Sequence, residues 1–259
     1  MPTAVLLKRA LITSALFLSW VSIPAWACAP DHIDETATVA WVYDGDTLRL
    51  KDGRKLRLIG INAPEMPKEQ ADAAPLARAA TQYLIGLIEA SDKTIRIRYD
   101  LGLKDRYGRL LAHIYTTDDR NITAEMIERG LGAAITVPPN SWAADCYYQA
   151  EQKARDQRRG IWKDAVFGPT NTTQLPRDSE GFHIVTGDVV RIGKSNRATW
   201  INLAGDVALR IDHSDKPNFP DQQFTSLQGR KIEARGWIYQ HKGQLRMRIR
   251  HPRSLAILQ

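Results

Sequence analysis

Two carboxylates flank a glycine in Asp44-Gly45-Asp46-Thr47, and Arg57 and Glu65 follow within the next nineteen residues. A second compact run, Asp105-Arg106-Tyr107-Gly108-Arg109, adds two more guanidiniums. Hydrolysing a phosphodiester calls for these residue types. A base must ready a water, a hard cation must meet a phosphate oxygen, and fixed positive charge must face the five-coordinate transition state. Asp46, the Asn62 side chain and the Ala63 carbonyl are oxygen donors of the sort calcium takes. Arginine suits the phosphate because its planar fork meets two oxygens at once. Taken alone, Asp-Gly-Asp is equally an ordinary tight turn; the whole inventory, each member at a strand, strand end or turn, carries the implication.

Those residues need a frame. Residues 36–43, 47–51, 55–59, 94–98 and 110–115 are rich in β-formers, with strict alternation in Thr94-Ile-Arg-Ile-Arg98. Leu76, Ala80, Tyr83, Leu84, Leu87 and Ile88 recur at the helical period behind Pro75, a good first helical residue. A short helix ends at Gly130, and a third is expected from Ser141, as its cap, to Gly160. The fold class is therefore mainly β with helices: a five-stranded Greek-key barrel of the OB type plus three helices. Residues 181–192, 198–202, 207–212, 230–239 and 244–251 read as a second, smaller OB-like barrel.

The division expected is 1–27 signal peptide, 28–165 first domain, 166–180 linker and 181–259 basic second domain. Lys8 and Arg9 precede an apolar run too short to span a bilayer comfortably, and Ala25-Trp26-Ala27 offers small residues for cleavage. Export to a periplasm or the medium follows, with no transmembrane segment left after cleavage; a retained amphipathic anchor is the other reading. In an oxidising compartment Cys28 and Cys146 are a pair available for a disulfide, the alternative being two free thiols. Residues 28–177 hold 21 basic and 21 acidic residues, whereas 178–259 hold 13 and 8, which places the positive excess in the second domain. That charge favours a polyanionic partner.

Three motifs in order, DGDT at 44–47, RLIGINAPE at 57–65 and DRYGR at 105–109, closely resemble the staphylococcal nuclease (thermonuclease) family. The resemblance runs from about Thr38 to Trp162. It implies a calcium-dependent nuclease acting on DNA and RNA with little sequence specificity and leaving products that end in a 3′-phosphate; no stable protein partner is implied, and a monomer is the default expectation. By the same resemblance Asp46, Asn62 and the Ala63 carbonyl are expected to bind the metal, with Asp44 and Thr47 supporting them. Glu65 is the expected general base, Arg57 and Arg109 contact the scissile phosphate, and Arg106 with Tyr107 meets a terminal phosphate. Asn62-Ala63 stands where the founding member has Asp then Thr, which implies weaker metal binding. The tyrosine pair that stacks on the base in that member is missing from 130–139, so base preference does not carry over; Trp142, Tyr147 and Tyr148 are candidate substitutes or core.

In the second domain Arg246, Arg248 and Arg250 alternate with Leu245, Met247 and Ile249. A strand would place the three guanidiniums on one face, as a track for a phosphate backbone or as a solvated amphipathic face. Trp200, Trp237 and Tyr239 are stacking platforms or core. His113 reads as a packing or exposed histidine, and no zinc spacing is present. The competing readings are a nuclease-like barrel that binds nucleic acid without cleaving it, and an exported adaptor for another polyanion.

Overall fold

Alternation of apolar and polar residues turns the first part of the chain into strands. The structure, a computed structural model, describes residues 28–65, 75–163, 167–219 and 224–258. The expected signal peptide lies outside them, and no described helix is long and apolar enough to cross a membrane. Glu35–Val42 (β1), Thr47–Leu50 (β2) and Lys55–Leu58 (β3) form an antiparallel meander with Val39, Leu48, Leu50, Leu56 and Leu58 buried. Ile61–Asn62 (β4), helix Pro75–Ala90 (α1), Thr94–Lys104 (β5), Leu110–Tyr115 (β6), helix Ile122–Glu128 (α2), Ala133–Ala134 (β7) and helix Ala144–Asp156 (α3) follow. The barrel closes in the order β1-β2-β3-β6-β5, with β3 and β6 parallel. Leu84 and Ile88 of α1 and Met126 and Ile127 of α2 pack into the same core.

Two elements differ from expectation. Strand β5 runs on to Lys104 because the Asn140 side chain takes both backbone groups of Gly102, accepting its N–H at 2.6 Å and donating to its carbonyl at 2.9 Å. Helix α3 begins at Ala144, not directly after Ser141, and Ser141 offers Ala144 only its backbone carbonyl. The Asp100 carboxylate holds the Trp142 N–H at 3.1 Å and keeps that residue out of the helix. The far end stops at Asp156, before Arg158 turns to a positive φ of 49°, and Gly160 belongs to a separate 3₁₀ turn.

Cys28 and Cys146 are joined in a disulfide across 118 residues, tying the start of the described chain to α3. Cross-linking so long a loop removes much freedom from the unfolded chain. Replacing both cysteines with serine is expected to lower unfolding stability by about 4–5 kcal/mol, read from urea denaturation; a loss below about 1 kcal/mol would contradict this.

The second unit contains Thr170–Asn171 (β8), Gly181–Lys194 (β9), Ala198–Leu203 (β10), Val207–Asp212 (β11), Lys231–His241 (β12), Gln244–Arg248 (β13) and Leu255–Ile257 (β14). Strand β12 pairs with both β13 and β9, so β9-β10-β11-β13-β12 closes a second barrel. Its third and fifth strands, β11 and β13, run parallel, as β3 and β6 do. The two barrels thus share one strand order around separate cores. The stretch read as a linker is partly built into this sheet. Strand β8 pairs with Val185 and Thr186, and Thr172 is buried beneath Gly187 and Gly205.

Alternate residues of β12 point out of the second barrel, and two of them, Glu233 and Arg235, hold the barrels together. Glu233 accepts two hydrogen bonds from Arg155 of α3, at 2.9 and 2.8 Å. Arg235 donates to Glu151 of α3 at 2.7 Å, to Glu233 at 2.8 Å and to the Ala134 carbonyl at 3.0 Å. Glu151 in turn accepts from the Ala134 N–H at 2.7 Å. Beside this network Ile184 packs on Ala133 and Ile161.

Candidate active site

The DGDT turn is shaped by its first aspartate. The Asp44 carboxylate accepts the Asp46 N–H at 2.9 Å, and the Tyr43 N–H reaches the Thr47 carbonyl at 2.9 Å. Gly45 is needed for contact: a Cβ there would lie 2.7 Å from the Cβ atoms of Ala63 and Ala80, so any larger residue would push the turn off α1. Gly60, at φ +91° and tight against the Tyr147 ring, steers the chain from β3 into the Asn62–Glu65 segment.

This packing buries Asp46, whose carboxylate is met from three sides. It accepts from the Ala63 N–H at 2.9 Å and the Thr47 hydroxyl at 3.1 Å, and it pairs with Arg57 at 3.0 Å. Burial pushes its pKa above the ordinary carboxylate range, against the pull of Arg57 and with the help of the negative charges of Asp44 and Glu65. A buried carboxylate with two more carboxylates acting on it is a place where a cation lowers the energy. Among the described residues no three His, Cys, Asp or Glu side chains converge as a metal cluster. A cation at Asp46 would therefore draw on amide and carbonyl oxygens as well, and Asn62 and Ala63 carry these beside it. The donor set is all oxygen and fits a hard cation.

The strand register brings in the arginines. Arg57 pairs with Thr47 across β2 and with Leu111 across β6, and it alternates outward between buried Leu56 and Leu58. Arg109 precedes buried Leu110 and so shares the outer face with Leu111. Arg57 on β3 and Arg109, in the turn that leads into the parallel strand β6, thus lie toward one face. Arg57 also donates to the Leu58 carbonyl at 3.1 Å. Asp105 organises the other turn, accepting the N–H groups of Tyr107 and Arg109 and the Arg109 Nε at 2.7 Å. Tyr107 is exposed, its hydroxyl accepting from Arg106 at 2.6 Å, with the Arg109 guanidinium 5.6 Å from its ring centre. Glu65 is exposed at the end of the Asn62–Glu65 segment.

A family model described as staphylococcal nuclease homologue matches residues 55–164. The thermonuclease of Staphylococcus intermedius is 32% identical over 132 residues, half of this chain and 77% of that protein. The chain belongs to the staphylococcal nuclease family. An uncharacterized endonuclease of Escherichia coli O157:H7 is 30% identical over 167 residues, 61% of this chain and 92% of that protein. Endonuclease YhcR of Bacillus subtilis (strain 168) is 31% identical over 134 residues, 48% of this chain but only 11% of that protein. The staphylococcal nuclease family model stops short of the second barrel.

Within this staphylococcal nuclease fold, Asp44, Asp46, Thr47, Arg57 and Ala63 form one hydrogen-bonded group, with Glu65 close enough to act on Asp46. Arg106, Tyr107 and Arg109 make a second group across the β3–β6 pair. The arginine ladder of the second barrel is placed differently from expectation. Strand β13 ends at Arg248, leaving Arg250 beyond it. Arg248 is bound by Asp212 at 3.0 Å and Asp215 at 2.8 Å, and Arg250 lies 3.5 Å from Asp215. Only Arg246 of the three faces an aromatic ring, that of Trp200, at 4.7 Å. His113 and Tyr147 are buried and joined at 2.7 Å, so both belong to the core. The sequence reading missed the crevice between the barrels, where Asn62 and Glu65 face Phe182, His183 and Trp237. One signal was present: Glu233, Arg235, Trp237 and Tyr239 repeat at every second position, an outward row too rich in chemistry for idle surface.

Proposed function

We propose that this chain is an exported, calcium-dependent nuclease that hydrolyses phosphodiester bonds of DNA and RNA with little sequence preference. The reading is carried by the buried Asp46–Arg57 pair, tied to the Ala63 N–H, with Glu65 at its mouth and Arg109 on the same face. Calcium, held by Asp46, the Asn62 side-chain oxygen and the Ala63 carbonyl, would supply positive charge against the phosphate. Asp44 holds the Asp46 backbone and Thr47 its carboxylate for that role. Glu65 takes a proton from the attacking water, whose oxygen bonds to phosphorus. Arg57 and Arg109 receive the charge that builds on the non-bridging oxygens. The bond to the 5′ oxygen breaks, that oxygen leaves with a proton as a hydroxyl, and the phosphate stays on the 3′ side. Arg106 and Tyr107 hold a neighbouring terminal phosphate.

The test is digestion of plasmid and RNA by the mature protein with calcium and with chelator, with end-group analysis of the products. Cleavage that persists in chelator, or ends other than 3′-phosphate, would overturn this reading. Asn62→Asp adds one negative ligand, and is expected to lower the calcium concentration for half-maximal activity about tenfold. An unchanged calcium requirement would remove Asn62 from the metal site.

A further inference from the structure

The outward row of β12 continues past the interface. After Glu233 and Arg235 come Trp237, 47% exposed, and Tyr239, 36% exposed. Trp237 stands edge-on to Phe182 of β9, with ring centres 5.5 Å apart, and both line a cavity of about 430 Å³. The opposite wall of this cavity is Asn62, Ala63, Pro64 and Glu65, the edge that carries the proposed chemistry. Its size falls in the range of clefts that enclose one small ligand, about 300–1,000 Å³. One unstacked nucleotide fits; a duplex does not. Apolar ring faces on one side with His183 and Asn62 among the lining groups suit a base, which is apolar on its faces and polar on its edges.

From the cavity the row leads onto an open face. Tyr239 pairs with Arg246 and neighbours Arg210. Both guanidiniums flank Trp200, at 4.7 and 5.7 Å from its ring. On the far side Trp200 meets Gly193, which has no side chain to cover it. Arg210, Arg248 and Arg250 are neutralised by Asp212 and Asp215, whereas Arg246 faces Trp200 and Tyr239. Aromatic rings interleaved with guanidiniums are the chemistry that holds single-stranded nucleic acid without reading its sequence.

We propose that the second barrel guides the substrate as a single strand: one base enters the cavity against Trp237 and Phe182, and the chain continues over Tyr239 and Arg246 to a further base on Trp200. The inference rests on the nuclease reading for the position of the cleavage edge, and it makes the enzyme prefer single strands or locally melted duplex.

The test separates binding from cleavage. Fluorescein-labelled dT12 and rU12, and a DNA duplex of equal length, are titrated in chelator and followed by anisotropy. Trp237→Ala and Trp200→Ala are each expected to weaken single-strand binding about tenfold, as loss of a stacked base does, with duplex binding unchanged. Trp237→Phe keeps a ring and should recover most of the loss. Arg246→Gln, away from the barrel interface, should reduce the salt dependence of binding by about one counterion. If Trp200→Ala and Arg246→Gln both bind dT12 within twofold of wild type at unchanged melting temperature, the strand path is wrong. If the tryptophan variants lose binding while the wild type cuts nothing with calcium, the path stands and the nuclease reading falls.

Discussion

Arg109→Ala lowers kcat by about two to three orders of magnitude and leaves the melting temperature within a few degrees of wild type. The size of the first effect follows from position. Arg109 immediately precedes the strand beside that of Arg57, toward the same outer face, so its charge is aimed at whatever sits over the Asp46 turn. It is also fixed in advance, because Asp105 binds both its backbone N–H and its Nε. A cation held in place before the reaction needs no reorganisation as negative charge develops. Stability responds little because the Asp105–Arg109 pair is partly exposed, and such pairs contribute about 0–1 kcal/mol. Arg109→Lys should recover only a small part of the rate, since an ammonium cannot meet two oxygens in one plane. Glu65→Gln should cost about two to four orders of magnitude through loss of the base. Single-turnover cleavage of a defined oligonucleotide checks both variants. A fall of less than fivefold in Arg109→Ala would remove that residue from the transition state.

A large stability effect is also expected at the contact between the barrels. Arg235→Ala should destabilise the protein by about 3–5 kcal/mol, measured by urea denaturation. Arg235 and Glu151 are both almost fully buried, and Arg235 also satisfies Glu233 and the Ala134 carbonyl. Removing the cation leaves two carboxylates and a carbonyl inside the interface with only Arg155 and the Ala134 N–H to share. Replacing Arg235 with methionine and Glu151 with leucine together should cost less than Arg235→Ala alone, because the unpaired charge at 151 is then gone. If Arg235→Ala costs less than about 1 kcal/mol, the network contributes little to joining the barrels.

Much of the first barrel is legible in the sequence because its signals are local. Ile95 and Ile97 alternate with arginines and are fully buried, as the pattern requires. The DGDT, RLIGINAPE and DRYGR motifs can be read as one site only because β2, β3 and β6 are neighbours, and strand-forming residues around each motif make that arrangement accessible. What escaped reading depends on partners distant in the chain. Asn140 extends β5, Asp100 delays α3, and Val185 turns part of a presumed linker into a strand. Arg248 looks free in its own segment and is bound by Asp212 and Asp215, which lie more than thirty residues earlier. The shared edge of Glu65 and Trp237 joins residues far apart in sequence, and no local pattern in either segment announces the other.

The match to the family model ends at residue 164, but that border is not a physical one. Ile161 and Ala133, inside the matched region, rest on Ile184 outside it, and the carbonyl of Ala134 is satisfied from Arg235. A shortened enzyme cut at that border would therefore present a fresh apolar face and be prone to self-association. The second barrel is therefore easier to keep than to lose: a strand of the first barrel takes a hydrogen bond from the second, so the two are best engineered and expressed together.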